Sequence, residues 1–228
     1  MNSRWDRLNR KIVRCQRCPR LRTYCERVAI EKKKEFLDWD YWGKPAPNFG
    51  DPDAELLLVG LAPAAHGANR TGRLFTGDRS GDWLYRALWK AGFATQPEST
   101  HRDDGLVLLN AAIGNVCHCA PPDNKPTREE MENCAEWLET TLKIVPARVI
   151  LALGQIAWQG VVDAAKKQGL WTGARPQFGH AACVELADGR PLLGCYHPSP
   201  RNTFTGRLTE DMLDGIFAYA KELLRRTG

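Results

Sequence analysis

Leu56-Leu57-Leu58-Val59-Gly60-Leu61-Ala62-Pro63-Ala64-Ala65-His66 is the stretch whose reading decides the fold. Its first four residues are apolar without polar alternation, the pattern of a strand covered on both faces, as in a parallel sheet. The run gives way to a loop of Gly, Ala and Pro, followed by Gly72-Arg73-Leu74-Phe75-Thr76-Gly77-Asp78. Open α/β sheets place ligands beyond the carboxyl ends of their strands, where such loops gather. Small residues let the backbone approach a flat ligand, and Phe75 and Asp78 add a stacking face and a charge. The chemistry of the chain is expected there.

Outward from this stretch, strands and helices alternate. Strands are predicted at 55–60, 106–111, 148–153 and 191–196, with a weaker one at 181–186. Helices are predicted at 80–92, 128–143, 154–167 and 208–225. Thr127-x-x-Glu130 is a capping box for the second of these. Residues 4–34 read as helical with a break near Cys18-Pro19, because proline disfavours α geometry in the residue before it. Residues 35–54, rich in aromatics, Pro and Gly, read as an ordered loop leading into the sheet. Apolar strands separated by helices of this length make βαβ units and a parallel sheet with helices on both faces.

At 228 residues the chain suits one α/β domain over 1–228, with a basic helical segment at 1–34. That segment holds twelve Lys and Arg against Asp6, Glu26 and Glu31, a balance of 12 − 3 = +9. The whole chain carries +5, so the remainder is 5 − 9 = −4. A basic lobe on a mildly acidic body points to a polyanion partner, or more plainly to a solvated basic helix. No run of 18 apolar residues exists and no apolar segment follows Met1. These features predict no membrane span and a cytoplasmic location, and nothing signals oligomers, so a monomer is the default.

Eight cysteines in such a chain favour metal ligation over disulfides. Cys15-Gln16-Arg17-Cys18 is a C-x-x-C turn, and Cys119 and Cys134 form a second pair. Cys25 and Cys117 compete as ligands, and Cys117 would share a strand face with Cys119. Cys183 and Cys195, in predicted strands, read as inert core thiols. Four thiolates suit Zn²⁺ and a [4Fe–4S] cluster equally.

Four motifs in order carry a family resemblance: Gly60-Leu61-Ala62-Pro63, Gly72-x-x-Phe75-Thr76-Gly77-Asp78, Asn115-x-x-x-Cys119-x-Pro121-Pro122 and His197-Pro198-Ser199-Pro200. Together they resemble the iron–sulfur uracil-DNA glycosylases. Leu61-Ala62, with no acid, is similar to the family 5 branch, as are Asn69-Arg70-Thr71-Gly72-Arg73 and residues 202–207. The resemblance implies a three-layer α/β/α sandwich on a central parallel four-stranded sheet. It implies a [4Fe–4S] cluster on Cys15, Cys18, Cys119 and Cys134. The implied activity is monofunctional hydrolysis of the N-glycosidic bond of uracil in DNA, leaving an abasic site for base excision repair. Because the first motif lacks an acid, a broader pocket that also takes hypoxanthine or other deaminated bases is expected. The alternatives are a non-catalytic iron–sulfur protein that binds damaged DNA and a zinc-stabilised nucleic-acid-binding module.

Breaking the C1′–N1 bond sends negative charge to the base and positive charge to the sugar, so a donor, an anion, a positioned water and a dry pocket are needed. The resemblance assigns His197 to the base O2, Asp78 to the water and the sugar cation, and Asn115 to the base edge. Phe75 is assigned to stacking, and Gly60, Ala62 and Pro63 to the pocket wall. Asp78 also suits an N-cap for the following helix, but Ser80 is an equally good cap, so the catalytic role of Asp78 ranks first. Arg70 and Arg73 are expected on phosphates, and Ser199, Arg201 and Asn202 in a loop that probes the minor groove. His66 is a weaker pocket residue.

Overall fold

The computed structural model describes residues 3–226. Two helices open the chain, α1 (Arg4–Val13) and α2 (Pro19–Glu31), and the break between them falls at Cys18, the N-cap of α2. Pro19 at the first helical position loses nothing, since its absent N–H would have had no partner in the helix. A two-residue edge strand β1 (Phe49–Gly50) precedes β2 (Leu56–Gly60), the short helix α3 (Ala68–Thr71) and α4 (Arg79–Lys90). Next come β3 (Ala111–Asn115), α5 (Arg128–Ile144), β4 (Val149–Leu153) and α6 (Gln155–Lys167). β5 (Cys183–Glu185), β6 (Pro191–Cys195), α7 (Pro200–Phe204) and α8 (Glu210–Arg226) complete the chain.

The sheet order is β1-β3-β2-β4-β6-β5. β3, β2, β4 and β6 are parallel, and β1 and β5 pair antiparallel at the two edges. The expected four-stranded parallel sheet is therefore the centre of a six-stranded mixed one. All four central strands are buried along their whole length, and side chains alternate between two cores. Leu56 and Leu58 join Leu84, Leu88 and Phe217 under α4 and α8, while Leu57 and Val59 join Leu8, Trp137 and Trp158 under α1, α5 and α6. This is the three-layer arrangement. Among the described residues no helix is long and apolar enough to cross a membrane.

Two strand expectations shift. The third strand lies at Ala111–Asn115, not 106–111. Leu106 and Leu108 are buried, but Val107 and Leu109 are 52% and 46% exposed, so this run is a half-buried extended edge bridged to Ala94. The true strand, Ala-Ala-Ile-Gly-Asn, is poor in β-branched residues, and its central position in the sheet overrides its propensity. Cys183 sits on the exposed edge strand β5, so it is not a core thiol; Cys195 on β6 is fully buried.

The basic N-terminal segment is partly neutralised within the chain. Arg17 pairs with Glu136, Arg22 with Glu26, and Arg20 with the buried Glu130. Glu130 also closes the capping box with Thr127, accepting from its backbone N–H at 2.7 Å. One carboxylate thus joins the start of α2 to the start of α5.

Leu151, fully buried in β4 beneath α8, supports the sheet at its centre. Leu151→Ala is expected to lower the unfolding free energy by about 2–5 kcal/mol, measured by equilibrium denaturation.

Candidate active site

β2 and β3 end side by side, with Gly60 in register with Asn115, and β6 ends two residues before His197. β2 feeds β3 on one side and β4 lies on the other, so the direction of winding reverses between β2 and β4. Such a reversal opens a crevice at the carboxyl edge of the sheet. A cavity of 470 Å³ occupies that edge, lined by Ala62, Pro63, Phe75, Asp78, Asn115, His197 and Ser199. The fold thus brings together residues that are up to 137 positions apart in sequence (199 − 62).

Each side chain is held by its element. Asp78 is the N-cap of α4, with Oδ1 accepting from the Gly81 N–H at 3.0 Å. Capping and cavity lining coincide in this residue, and Ser80 is not the cap. A Cβ at Gly67 would lie 2.1 Å from Asp78 Oδ2, so the β2 loop reaches the carboxylate only because it has no side chain there. Burial raises the Asp78 pKa, Asp82 adds to the rise, and the Gly81 and Ser80 N–H groups and Arg70 oppose it. Burial pushes His197 down to about 4, so its imidazole is neutral at neutral pH and keeps one N–H donor.

Phe75 adopts φ +53°, a left-handed conformation that costs free energy in a non-glycine residue. Its ring lies 5.9 Å from that of His197 and faces the end of β2, where a Cβ at Gly60 would stand 2.8 Å from Phe75 and 2.5 Å from Asn115 Oδ1. Asn115 Oδ1 is buried against Gly60 without a hydrogen-bond partner.

The loop after β6 is self-supporting. The Ser199 hydroxyl caps α7, and the Asn202 amide donates to the His197 carbonyl at 2.8 Å. Asn202 therefore fixes the imidazole-bearing turn, while Arg201 is exposed and lines a neighbouring 500 Å³ groove with Arg207.

Neither Arg70 nor Arg73 stands at the surface, which corrects the expectation that they contact phosphates. Arg73 is buried and bonded to Thr76, Ser99, the Arg102 carbonyl and Asp104 at 2.6 Å. Burial works against the Asp104 charge, but Arg73 and three backbone N–H groups bring its pKa down to about 2. Arg70 is buried against the Phe36 and Trp39 rings. Their neighbours Thr71, Gly72 and Gly77 made a loop look exposed, whereas its small residues let the guanidinium groups pack inward.

The sequence did not single out Asn124 and Arg79, which line both the 470 Å³ cavity and an adjoining one of 840 Å³ that also reaches His66 and Arg70. Asn124 has φ +56°. The signal was the Pro121-Pro122-Asp123-Asn124 turn, since Asn tolerates this conformation. His66 accepts or donates through Nδ1 to the Tyr41 hydroxyl at 3.0 Å.

The thiols gather around the α1–α2 break and the start of α5. Cys18 interacts electrostatically with Cys134 and Cys15, and Cys119 with Cys134. Arg17 sits beside Cys15 and Cys134. Cys117 and Cys119 do not share a strand face: Cys117 packs with Cys134 and Trp137, whereas Cys119 packs with Cys18, Leu21 and Cys25. Among the described residues, no group of three or more His, Cys, Asp or Glu is arranged to hold a metal ion. The donor set is nonetheless chemically suited to a soft metal centre: four thiols linked in sequence by electrostatic contact, Cys15 to Cys18, Cys18 to Cys134 and Cys134 to Cys119, beside a guanidinium.

Fold and site define an α/β protein with a strand-end cavity that sets a carboxylate, an amide, an imidazole and an aromatic ring side by side. Comparison with known proteins narrows this. The family model described as the Uracil DNA glycosylase superfamily matches residues 47–221. The chain is 50% identical over 218 residues to a type-5 uracil-DNA glycosylase of Mycobacterium leprae, covering 95% of this chain and 94% of that one. It is 46% identical to a type-5 uracil-DNA glycosylase of Thermus thermophilus, covering 93% and 94%, and 43% identical to one of Pyrobaculum aerophilum, covering 97% and 91%. The chain belongs to the uracil-DNA glycosylase superfamily.

Two measurements check this geometry. Arg73→Met leaves Asp104 with its backbone N–H partners but no countercharge, so stability is expected to fall by about 1–3 kcal/mol while the salt dependence of DNA binding stays unchanged. Because the Asp104 pKa is depressed, its contribution is present above the ordinary carboxyl range and fades as pH falls towards about 2. Gly60→Ala, crowding Asn115 and Phe75, is expected to weaken base binding with little change in melting temperature.

Proposed function

We propose that this chain is a monofunctional glycosylase that hydrolyses the bond between uracil and deoxyribose in DNA. The observation that carries the reading is the convergence of Asp78, Asn115, Phe75 and His197 on one strand-end cavity, in a chain similar to three named type-5 uracil-DNA glycosylases. The flipped base stacks on Phe75, and its N–H meets the unpartnered Asn115 Oδ1. As the C1′–N1 bond lengthens, negative charge grows on O2 and the neutral His197 donates a hydrogen bond to it. Asp78 in its ionised form orients the attacking water and faces the positive sugar. No lysine lines this cavity among the described residues, which supports hydrolysis without a Schiff base and hence without strand cleavage by the enzyme.

The same pocket takes hypoxanthine and other deaminated bases, a range supported by Leu61 and Ala62, which bring no charged side chain to the wall. Cys15, Cys18, Cys119 and Cys134 hold a [4Fe–4S] cluster. Cys119 lies between Asn115 and Asn124, so the chemistry such a cluster supplies is structural: it secures the segment that forms one side of the cavity.

The test is single-turnover cleavage of a labelled duplex carrying one uracil, followed by alkali. Wild type is expected to give alkali-dependent breaks, and borohydride to trap no adduct. Asp78→Asn keeps a capping side chain but loses the charge, and the rate is expected to fall by about 10²–10⁴-fold. Since burial raises the Asp78 pKa, the acid limb of the wild-type profile is expected above the ordinary carboxyl range. A folded wild type that binds the duplex and releases no base overturns the proposal. Purified protein is expected to be brown, with broad blue absorption that Cys134→Ser removes; colourless zinc-loaded protein overturns the cluster assignment.

A further inference from the structure

Arg70 lies at the junction of the two loops that make the active site. Its Nε donates to the His66 carbonyl at 2.7 Å, on the loop that follows β2, and one terminal nitrogen donates to the Gly77 carbonyl at 2.8 Å, directly before Asp78. The guanidinium sits in the corner of two aromatic rings that meet edge to face, 3.8 Å from the Phe36 centroid and 4.0 Å from that of Trp39. These rings belong to the aromatic segment that precedes the sheet. That segment is pinned over α3 by backbone bonds from Trp42 to the Arg70 carbonyl and from Gly43 to the Asn69 carbonyl. A Cβ at Gly77 would lie 2.4 Å from the Arg70 terminal nitrogen, so the close approach depends on glycine there.

We propose that Arg70 is a positioning residue for the reaction: clamped by Phe36 and Trp39, it ties His66 to Gly77 and thereby holds the Asp78 carboxylate against the β2 loop and the cavity. The proposal rests on the glycosylase reading. A planar fork with two directed donors suits this role, and a lysine has no equivalent geometry. Displacement of a catalytic group by about 1 Å costs on the order of 10²-fold in rate.

Arg70 also biases Asp78 electrostatically. Asp82, from the same helix, opposes ionisation and Arg70 favours it. Arg79 on that helix, with Lys33, Glu35, Tyr24 and Asp123 across the 840 Å³ cavity, completes the charged and titratable surroundings on that side. His66 and His197 both have lowered pKa values through burial and add no charge at neutral pH.

The experiment compares Arg70→Met and Arg70→Lys, each alone and with Asp78→Asn. Three readouts are taken: ¹³C titration of the Asp78 carboxyl, single-turnover rate against pH, and salt dependence of affinity for a duplex with uncleavable 2′-fluorinated deoxyuridine. Arg70→Met is expected to slow the rate at least tenfold and to move both the Asp78 titration and the acid limb upwards. It is expected to change the rate less than twofold when Asp78 is already Asn, and to leave the salt slope unaltered. Arg70→Lys is expected to restore the titration but not the full rate. An unmoved titration, or a salt slope shallower by about one phosphate contact (about 0.9) with a normal rate once bound, overturns the proposal and makes Arg70 a DNA contact. If Arg70→Met does not fold, Arg70→Lys decides, and a wild-type rate in that variant overturns it. A wild type that releases no uracil defeats the glycosylase reading instead, and the Asp78 titration still judges Arg70.

Discussion

The energetic centre of this structure is a carboxylate partly withdrawn from water at the wall of a cavity. Asp78 lies beneath the β2 loop, where burial raises its pKa and penalises the ionised form. Asp82 adds to that cost, and three other groups reduce it without removing it. The Gly81 and Ser80 N–H groups at the start of α4 turn towards it, the positive end of the helix dipole adds to them, and Arg70 supplies a cation behind the loop. Linkage gives the sign: a raised carboxyl pKa contributes stability below the ordinary carboxyl range, lost as pH rises through the raised value. Ionising Asp78 therefore weakens the fold and sets a reactive charge at the cavity wall.

The same constraint explains why the loops are made of small residues. Gly67 admits the carboxylate, Gly77 admits the Arg70 guanidinium, and Gly60 admits the Asn115 amide and the Phe75 ring. Phe75 accepts a left-handed backbone to present its face to the cavity, and a Cβ at Gly81 would stand 1.8 Å from its carbonyl. The loops are stiff because they are tightly interlocked, and the sheet beneath, buried on both faces, gives them a rigid edge to hang from.

The parallel core was legible because buried parallel strands leave uninterrupted apolar runs, and Leu56–Val59 is such a run. β3 was misplaced because its apolar content comes from Ala and Gly, while the neighbouring Leu106–Leu109 carries a stronger pattern on a half-exposed edge. Capping was readable at Thr127 and half-readable at Asp78, where one side chain serves helix and cavity together. The arginines were misread for a physical reason. A guanidinium in a glycine-rich loop looks solvated in sequence, and only the fold shows the aromatic rings and carbonyls that receive it. Asn124 stayed hidden because its role comes from a turn whose position depends on tertiary contacts with α2 and α5.

Asn115 connects this geometry to the proposed range of bases. An amide can flip, and in its other orientation it would suit cytosine, whose edge offers an acceptor nitrogen and an amino group. With Oδ1 buried and unpaired, the pocket instead pays an unsatisfied-acceptor penalty of about 1–3 kcal/mol, which a ligand N–H relieves and a ligand lone pair does not. Deamination makes the required change in every amino-bearing base: an exocyclic amine beside a ring lone pair becomes a carbonyl beside a ring N–H. Uracil, hypoxanthine and xanthine share that edge although their ring sizes differ, and so do the normal bases thymine and guanine. In the proposed reading, one acceptor under a stacking ring therefore sorts uracil and hypoxanthine from their amino parents cytosine and adenine, and the shape of the wall at Ala62 and Pro63 is what must turn thymine and guanine away.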